Sequence, residues 1–245
     1  MPLLTILLLG VNALCIVHAA RSGRFMPWAY VVLLLPGIGA LAYLFLELIP
    51  EWQGTPSGRR AAAQLGRTIA PEKRYRELVE ELETADTIAN RRALAEECGA
   101  LGRYDEAVDL WRSILPLPLG DDPKIHENLA HSLFSAGRTD EALRALDSLK
   151  TKWPDYHSGD GHLLYARCLA ALGRSAEAET EYRGLLDYFP GPEPAVDLAR
   201  LLAAIGRGGE ARALAADYVR RLERSPKFTR RLHADALRDL KQLAR

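Results

Sequence analysis

Two long apolar runs open the chain. Residues 3–20 carry no formally charged side chain and are mostly Leu, Ile, Val and Ala, and residues 28–48 repeat the pattern with Glu47 as their single charge. Each run is near the length of about 20 residues that a helix needs to cross the hydrocarbon of a bilayer. The polar break Arg21-Ser22-Gly23-Arg24 separates them, so residues 1–50 are expected to form a transmembrane hairpin, with Trp28, Tyr30 and Trp52 as interface anchors. Val17-His18-Ala19 has the look of a leader cleavage site, but no positive side chain precedes the run, as a secretory leader requires. Residues 51–70 read as a linker. Gln53-Gly54-Thr55-Pro56-Ser57-Gly58 is turn-rich, and a basic, alanine-rich stretch follows.

From residue 71 onward the apolar positions fall at helical spacing. Tyr75, Leu78, Val79 and Leu82 mark one face of a first helix. The sequence Gly-Arg-x-x-Glu-Ala then occurs four times, beginning at Gly102, Gly137, Gly173 and Gly206, with spacings of 35, 36 and 33 residues. A period near 34 residues predicts paired helices stacked in series, each pair unable to bury its apolar face alone. Gly at the end of a first helix can take the left-handed conformation that terminates it. Ala95, Ala130, Ala166 and Ala199 in the first helices, and Ala107, Ala142, Ala178 and Ala211 in the second, let antiparallel helices approach closely. Trp111, Leu146 and Tyr182 fill the gap between pairs, whereas Ala215 stands at that place in the fourth copy. Glu106, Glu141, Glu177 and Glu210 fall in the first turn of each second helix, where a carboxylate complements the helix dipole.

These positions resemble the tetratricopeptide repeat. The resemblance covers about residues 88–226 and implies an all-α solenoid over 71–245. Its four repeats are expected near 88–121, 123–156, 159–191 and 192–226, with a helix at 229–244 covering the open end through Leu232, Ala236, Leu240 and Leu243. Pro116-Leu117-Pro118-Leu119-Gly120 is an unusual connector after the first repeat and Gly208-Gly209 loosens the last one, so the array is expected to bend or end imperfectly there. The N-terminal run from Leu33 to Leu44, Leu-Leu-Leu-Pro-Gly-Ile-Gly-Ala-Leu-Ala-Tyr-Leu, resembles the two-helix membrane segment of the cardiolipin synthase and phospholipase D family. That family's His-x-Lys-x-x-x-x-Asp signature is absent, so this likeness implies an anchor and no lipid chemistry.

Charge removes one class of partner. The 32 basic and 32 acidic side chains balance, which argues against nucleic acid as the main ligand. Cys15, Cys98 and Cys168 have no C-x-x-C or zinc-like context, and the last two fall in apolar helical runs. His126 and His131 are five residues apart, off the i, i+4 spacing of a helical metal pair, and His157, Asp160 and His162 sit beside Gly159 and Gly161 in what reads as a loop. No catalytic, cofactor-binding or metal site is therefore expected, and no small-molecule substrate. The resemblance implies that first helices line a concave groove, which places Arg92, Glu96, Glu127, Asn128, His131, Arg167 and Arg200 on a candidate peptide surface. The expected function is a membrane-anchored scaffold or adaptor for protein partners. It would sit in a bacterial-type inner membrane with the repeats on the cytoplasmic side. The alternative is an accessory subunit of an envelope or phospholipid-synthesis complex, with the hairpin itself touching the partner through Gly37 and Gly39.

Overall fold

A computed structural model describes residues 72–245, together with residues 30–31 and 42–43. The expected hairpin at 3–20 and 28–48, its likeness to the cardiolipin synthase segment and the 51–70 linker lie outside the described residues. No helix among the described residues is long and apolar enough to cross a membrane. Backbone contacts divide the chain into a unit of residues 1–74 and a second of residues 75–245.

Eleven helices and no strand are present among the described residues. α1 (Lys73–Thr84) is followed by four antiparallel pairs: α2 (Ile88–Ala100) with α3 (Tyr104–Ile114), α4 (Pro123–Ser135) with α5 (Thr139–Lys152), α6 (Gly159–Ala171) with α7 (Ser175–Tyr188), and α8 (Glu193–Ala204) with α9 (Gly208–Arg224). α10 (Lys227–Leu232) and α11 (Ala234–Leu243) close the chain. Each second helix packs on the first helix of the next pair, so the pairs stack in chain order. The eight in-register alanines are buried, and Trp111, Leu146 and Tyr182 are buried beside them. The stripe on α1 joins this core through Leu78, with Tyr75, Val79 and Leu82 packed against it.

Both ends of the Gly-Arg-x-x-Glu motif have a mechanical role. The four glycines adopt φ of 76°, 76°, 75° and 83°, the left-handed region that a Cβ disfavours. The next residue's N–H then reaches back to the carbonyl five positions earlier, Arg103 to Cys98 at 2.8 Å, Arg138 to Leu133 at 2.9 Å, Arg174 to Leu169 at 2.9 Å and Arg207 to Leu202 at 2.8 Å. This closes the first helix as a Schellman turn. The same arginine is the N-cap of the second helix, and no side chain caps those helices. Its guanidinium instead pairs with the motif glutamate in the first turn: Arg103 with Glu106 at 3.4 Å, Arg138 with Glu141 at 2.8 Å, Arg174 with Glu177 at 2.6 Å and Arg207 with Glu210 at 2.6 Å. Arg112 reaches Glu141 of the following pair at 2.7 Å, and Arg207 reaches back to Glu179 at 2.6 Å, so the clamps also link neighbouring pairs. The two arginines hold the Glu141 carboxyl down to about 2, Arg138 more strongly than Arg112. The glutamates thus serve an arginine as well as the dipole.

Four local expectations are corrected. Residues 115–120 do not end the array; Leu117 N–H donates to Ile114 O at 2.9 Å and Gly120 N–H to Leu117 O at 2.8 Å, two successive tight turns, with α3 and α4 packed together. Gly208 and Gly209 form the first turn of α9, the 17-residue helix, where the Arg207–Glu210 clamp holds them. The helix expected at 229–244 is two helices divided at His233, and Leu232 points out while Ala236, Leu240 and Leu243 pack on α8 and α9. Buried Leu240 packs in one cluster with Ala215, Ala199 and Val196, so α11 supplies the bulk that the fourth copy lacks. Finally, Gly159 and Gly161 are not in a loop: the Ser158 hydroxyl accepts from Gly161 N–H at 3.1 Å and starts α6 there.

Candidate functional site

The first helices bring four of the seven candidate groove residues into one open concavity of about 330 Å³. Arg92 and Glu96 project from α2, and Asn128 and His131 from α4, with Trp111 in the wall. Arg92 and Glu96 are four apart on one helix, as Asn128 and His131 are three apart on the next, so each pair shares a face. Among the described residues, none of the four side chains makes an intramolecular hydrogen bond or ion pair. Burial, opposed by the nearby Glu127 carboxylate, holds His131 below its ordinary value, so its imidazole is neutral at physiological pH. A neutral imidazole, an amide, a guanidinium and a carboxylate thus face one opening, able to donate and accept along an extended polar chain.

The other three candidates are placed differently. Glu127 is fully buried, with 0% of its side chain exposed, and it accepts from Lys124 Nζ at 2.6 Å and Tyr156 Oη at 2.7 Å. Burial alone would raise its carboxyl, but Lys124, Tyr156 and Ser158 outweigh that and hold it below the ordinary value. Arg167 donates to Asp197 at 2.7 Å and Arg200 to Asp239 at 2.7 Å, which ties α6 to α8 and α8 to α11. A one-dimensional pattern places these residues on the right helices, but it does not show that their charges are already consumed, Glu127 by Lys124 and Tyr156 and the two arginines by partners 30 or more residues away.

A larger cavity of about 820 Å³ was not anticipated. It lies between α5, residues 153–158, α6 and α7, with Leu146 and Leu149 behind Trp153, Tyr156, Tyr165 and Tyr188. Several of its polar groups are internally matched. The two nitrogens of His162 lie 2.5 Å from Tyr188 Oη and 2.5 Å from Glu181 Oε2, while Lys150 Nζ sits 4.1 Å over the Tyr165 ring. Two glycines make room: a Cβ on Gly161 would lie 3.3 Å from the Glu127 carboxylate, and one on Gly159 would lie 3.2 Å from the Phe189 ring. The sequence did carry a signal, four aromatics within 36 residues around two glycines, but the glycines suggested a loop. The histidines do not gather: His126 contacts Asp121 at 3.0 Å and packs tilted against Trp153, while His131 faces the concavity. Among the described residues, no group of three or more His, Cys, Asp or Glu could hold a metal ion.

Three family models described as tetratricopeptide repeat match this chain, over residues 92–157, 133–196 and 192–217. No curated protein matches it. Among solved structures, a thermophilic TPR protein of Thermus thermophilus superposes with a TM-score of 0.50 at 23% identity, covering 71% of this chain and 96% of that one, a likeness of fold. MamA of MSR-1 matches with a TM-score of 0.48 at 20% identity, covering 74% of this chain and 93% of that one. With the four stacked pairs and the glycine-centred clamps, the three family models show that residues 92–217 are tetratricopeptide repeats.

Proposed function

We propose that this chain is a membrane-anchored scaffold whose repeats recruit a protein partner through the concavity formed by Arg92, Glu96, Asn128 and His131. Tetratricopeptide repeats imply a protein–protein interaction scaffold. The observation that carries the site is the contrast between these four side chains and their neighbours. Glu127, Arg167 and Arg200 are matched internally, whereas the four in the concavity have no partner among the described residues. Glu96 is exposed, and among the described residues no polar atom of the four is both buried and unpartnered, so each can exchange water for a ligand's donors and acceptors without first breaking an internal bond. The arginine and carboxylate suit an extended, mixed-charge segment of a partner protein. The aromatic cavity beside α6 supplies a second, apolar seat.

Anchoring rests on the two apolar runs at 3–20 and 28–48, which are long enough to span a bilayer, with the repeats proposed to face the cytoplasm. The domain division proposed is 1–50 anchor, 51–70 linker and 71–245 repeats. No cofactor and no catalytic step belongs to this function. Crosslinking capture from intact membranes tests it by comparing the native chain with an Arg92→Ala, Asn128→Ala, His131→Ala triple variant. Selective loss of a partner from the variant supports the groove; identical capture by both refutes it. If capture is lost instead on substituting Gly37 and Gly39 in the second apolar run, the hairpin is the contact, as for an accessory subunit of an envelope or phospholipid-synthesis complex.

A further inference from the structure

The clamps and ion pairs of the array consume most of its charge, but the turn after α9 departs from that rule. Arg224, Lys227, Arg230 and Arg231 lie within eight residues, all are exposed, and none makes an ion pair with a described carboxylate, Arg230 adding only a weaker pull on Glu223 beside that of Lys241. The nearby acids are engaged: Asp217 with Arg220 and Arg221, Glu223 with Lys241 at 2.7 Å, and Asp235 with Arg238 at 3.1 Å. On the same six-residue helix, Phe228 is 77% exposed and Leu232 is 67% exposed, four residues apart and therefore side by side. Thr229, between them in sequence, is half-buried.

We propose that α10 is a docking face for an anionic lipid surface, with Phe228 and Leu232 entering the interface and the four cations meeting the headgroups. Two observations favour a bilayer over a protein. A helix of six residues is only about 9 Å long, too small to bury the roughly 800 Å² per partner that a stable protein interface uses. It also lines neither of the two cavities described above. A flat lipid surface needs no complementary shape; it needs apolar side chains beside unneutralised cations, which is what α10 presents.

The test uses the full chain equilibrated with phosphatidylcholine nanodiscs or with discs that also contain phosphatidylglycerol, reading amide exchange across residues 225–233. Exchange is expected to slow only on the anionic discs and to return to its free rate at high salt. Arg230→Gln with Arg231→Gln is expected to weaken that docking about 10- to 30-fold, from a loss of roughly 1 kcal/mol per cation. Phe228→Ser with Leu232→Ser is expected to abolish the slowing, and because both side chains are exposed the fold has no stake in them. Association of the chain with neutral discs reports the proposed N-terminal anchor separately, since it does not depend on residues 225–233. Three results overturn the proposal: equal exchange on both discs, slow exchange without lipid that rises with protein concentration, which indicates a second copy, and slow concentration-independent exchange without lipid, which indicates a segment of the same chain.

Discussion

Replacing Glu127 with Gln keeps the side chain's shape and removes its charge, and the structure fixes what that costs. Oε1 accepts from Lys124 at 2.6 Å and Oε2 from Tyr156 at 2.7 Å, so whichever way the amide turns, its NH₂ faces a donor. One charge-assisted bond is lost outright and the remainder become neutral bonds of about half the strength. Relief from burying a carboxylate offsets part of this, leaving an expected destabilisation of about 2 to 3 kcal/mol at neutral pH. The pH dependence has a definite sign. Because the folded carboxyl is held below 4.5, its contribution is fully present above that ordinary value and is lost as pH falls through the lower folded value. The gap between native and Glu127→Gln should therefore close on acidification below about pH 4.5. Urea unfolding of the full chain in mild detergent, followed by far-ultraviolet circular dichroism from pH 7 to pH 3, measures it. Amide exchange should localise it, accelerating residues 153–162 and sparing 208–224, because stacked repeats couple mainly to their neighbours. A gap under about 0.5 kcal/mol at pH 7, or one that is unchanged at pH 3, would refute the assignment of Glu127 as the charged tie between the second and third pairs.

Three other outcomes follow from the same packing. Trp111→Ala should destabilise the chain by about 3 to 5 kcal/mol in urea melts, since the indole is buried between the first and second pairs. Gly120→Ala would place a Cβ 1.9 Å from the carbonyl oxygen of Ile114, and the backbone shift it forces should cost about 2 to 3 kcal/mol, read as a lower unfolding midpoint with unchanged helix content. Burial pushes the Cys98 thiol up to about 11, with Glu106 adding to the effect, and the Cys168 thiol up to about 12; in a Cys15→Ser background, iodoacetamide at pH 8 should label neither until denaturant is added.

The repeats were legible because their constraints are local and recur. Gly102, Gly137, Gly173 and Gly206 are dictated by a left-handed turn, and the small residue at Ala107, Ala142, Ala178 and Ala211 by helix approach, so one alignment exposes both. Arg103 and its counterparts recur just as strictly, and that regularity was the available sign of the clamp to the glutamate three residues on. What escaped depends on contacts far apart in sequence. Glu127 looks like a groove carboxylate until Tyr156 and Ser158 close over it, and Arg167 and Arg200 look free until Asp197 and Asp239 arrive. Gly159 and Gly161 suggested a loop because glycine usually interrupts helices; Ser158 just before them was the cap that argued otherwise. The break at His233 leaves Leu232 beside Phe228 outside the packing, whereas the single helix expected from 229 to 244 placed Leu232 in its packed stripe.

Site-specific photocrosslinking in intact membranes tests the central claim most directly, with the photoreactive residue placed at Asn128 in the concavity or at exposed Arg144 on α5 of the same pair. A discrete protein adduct from position 128 that is missing from position 144 is the predicted result. The same adducts from both positions, or none from 128, would contradict recruitment through the first helices.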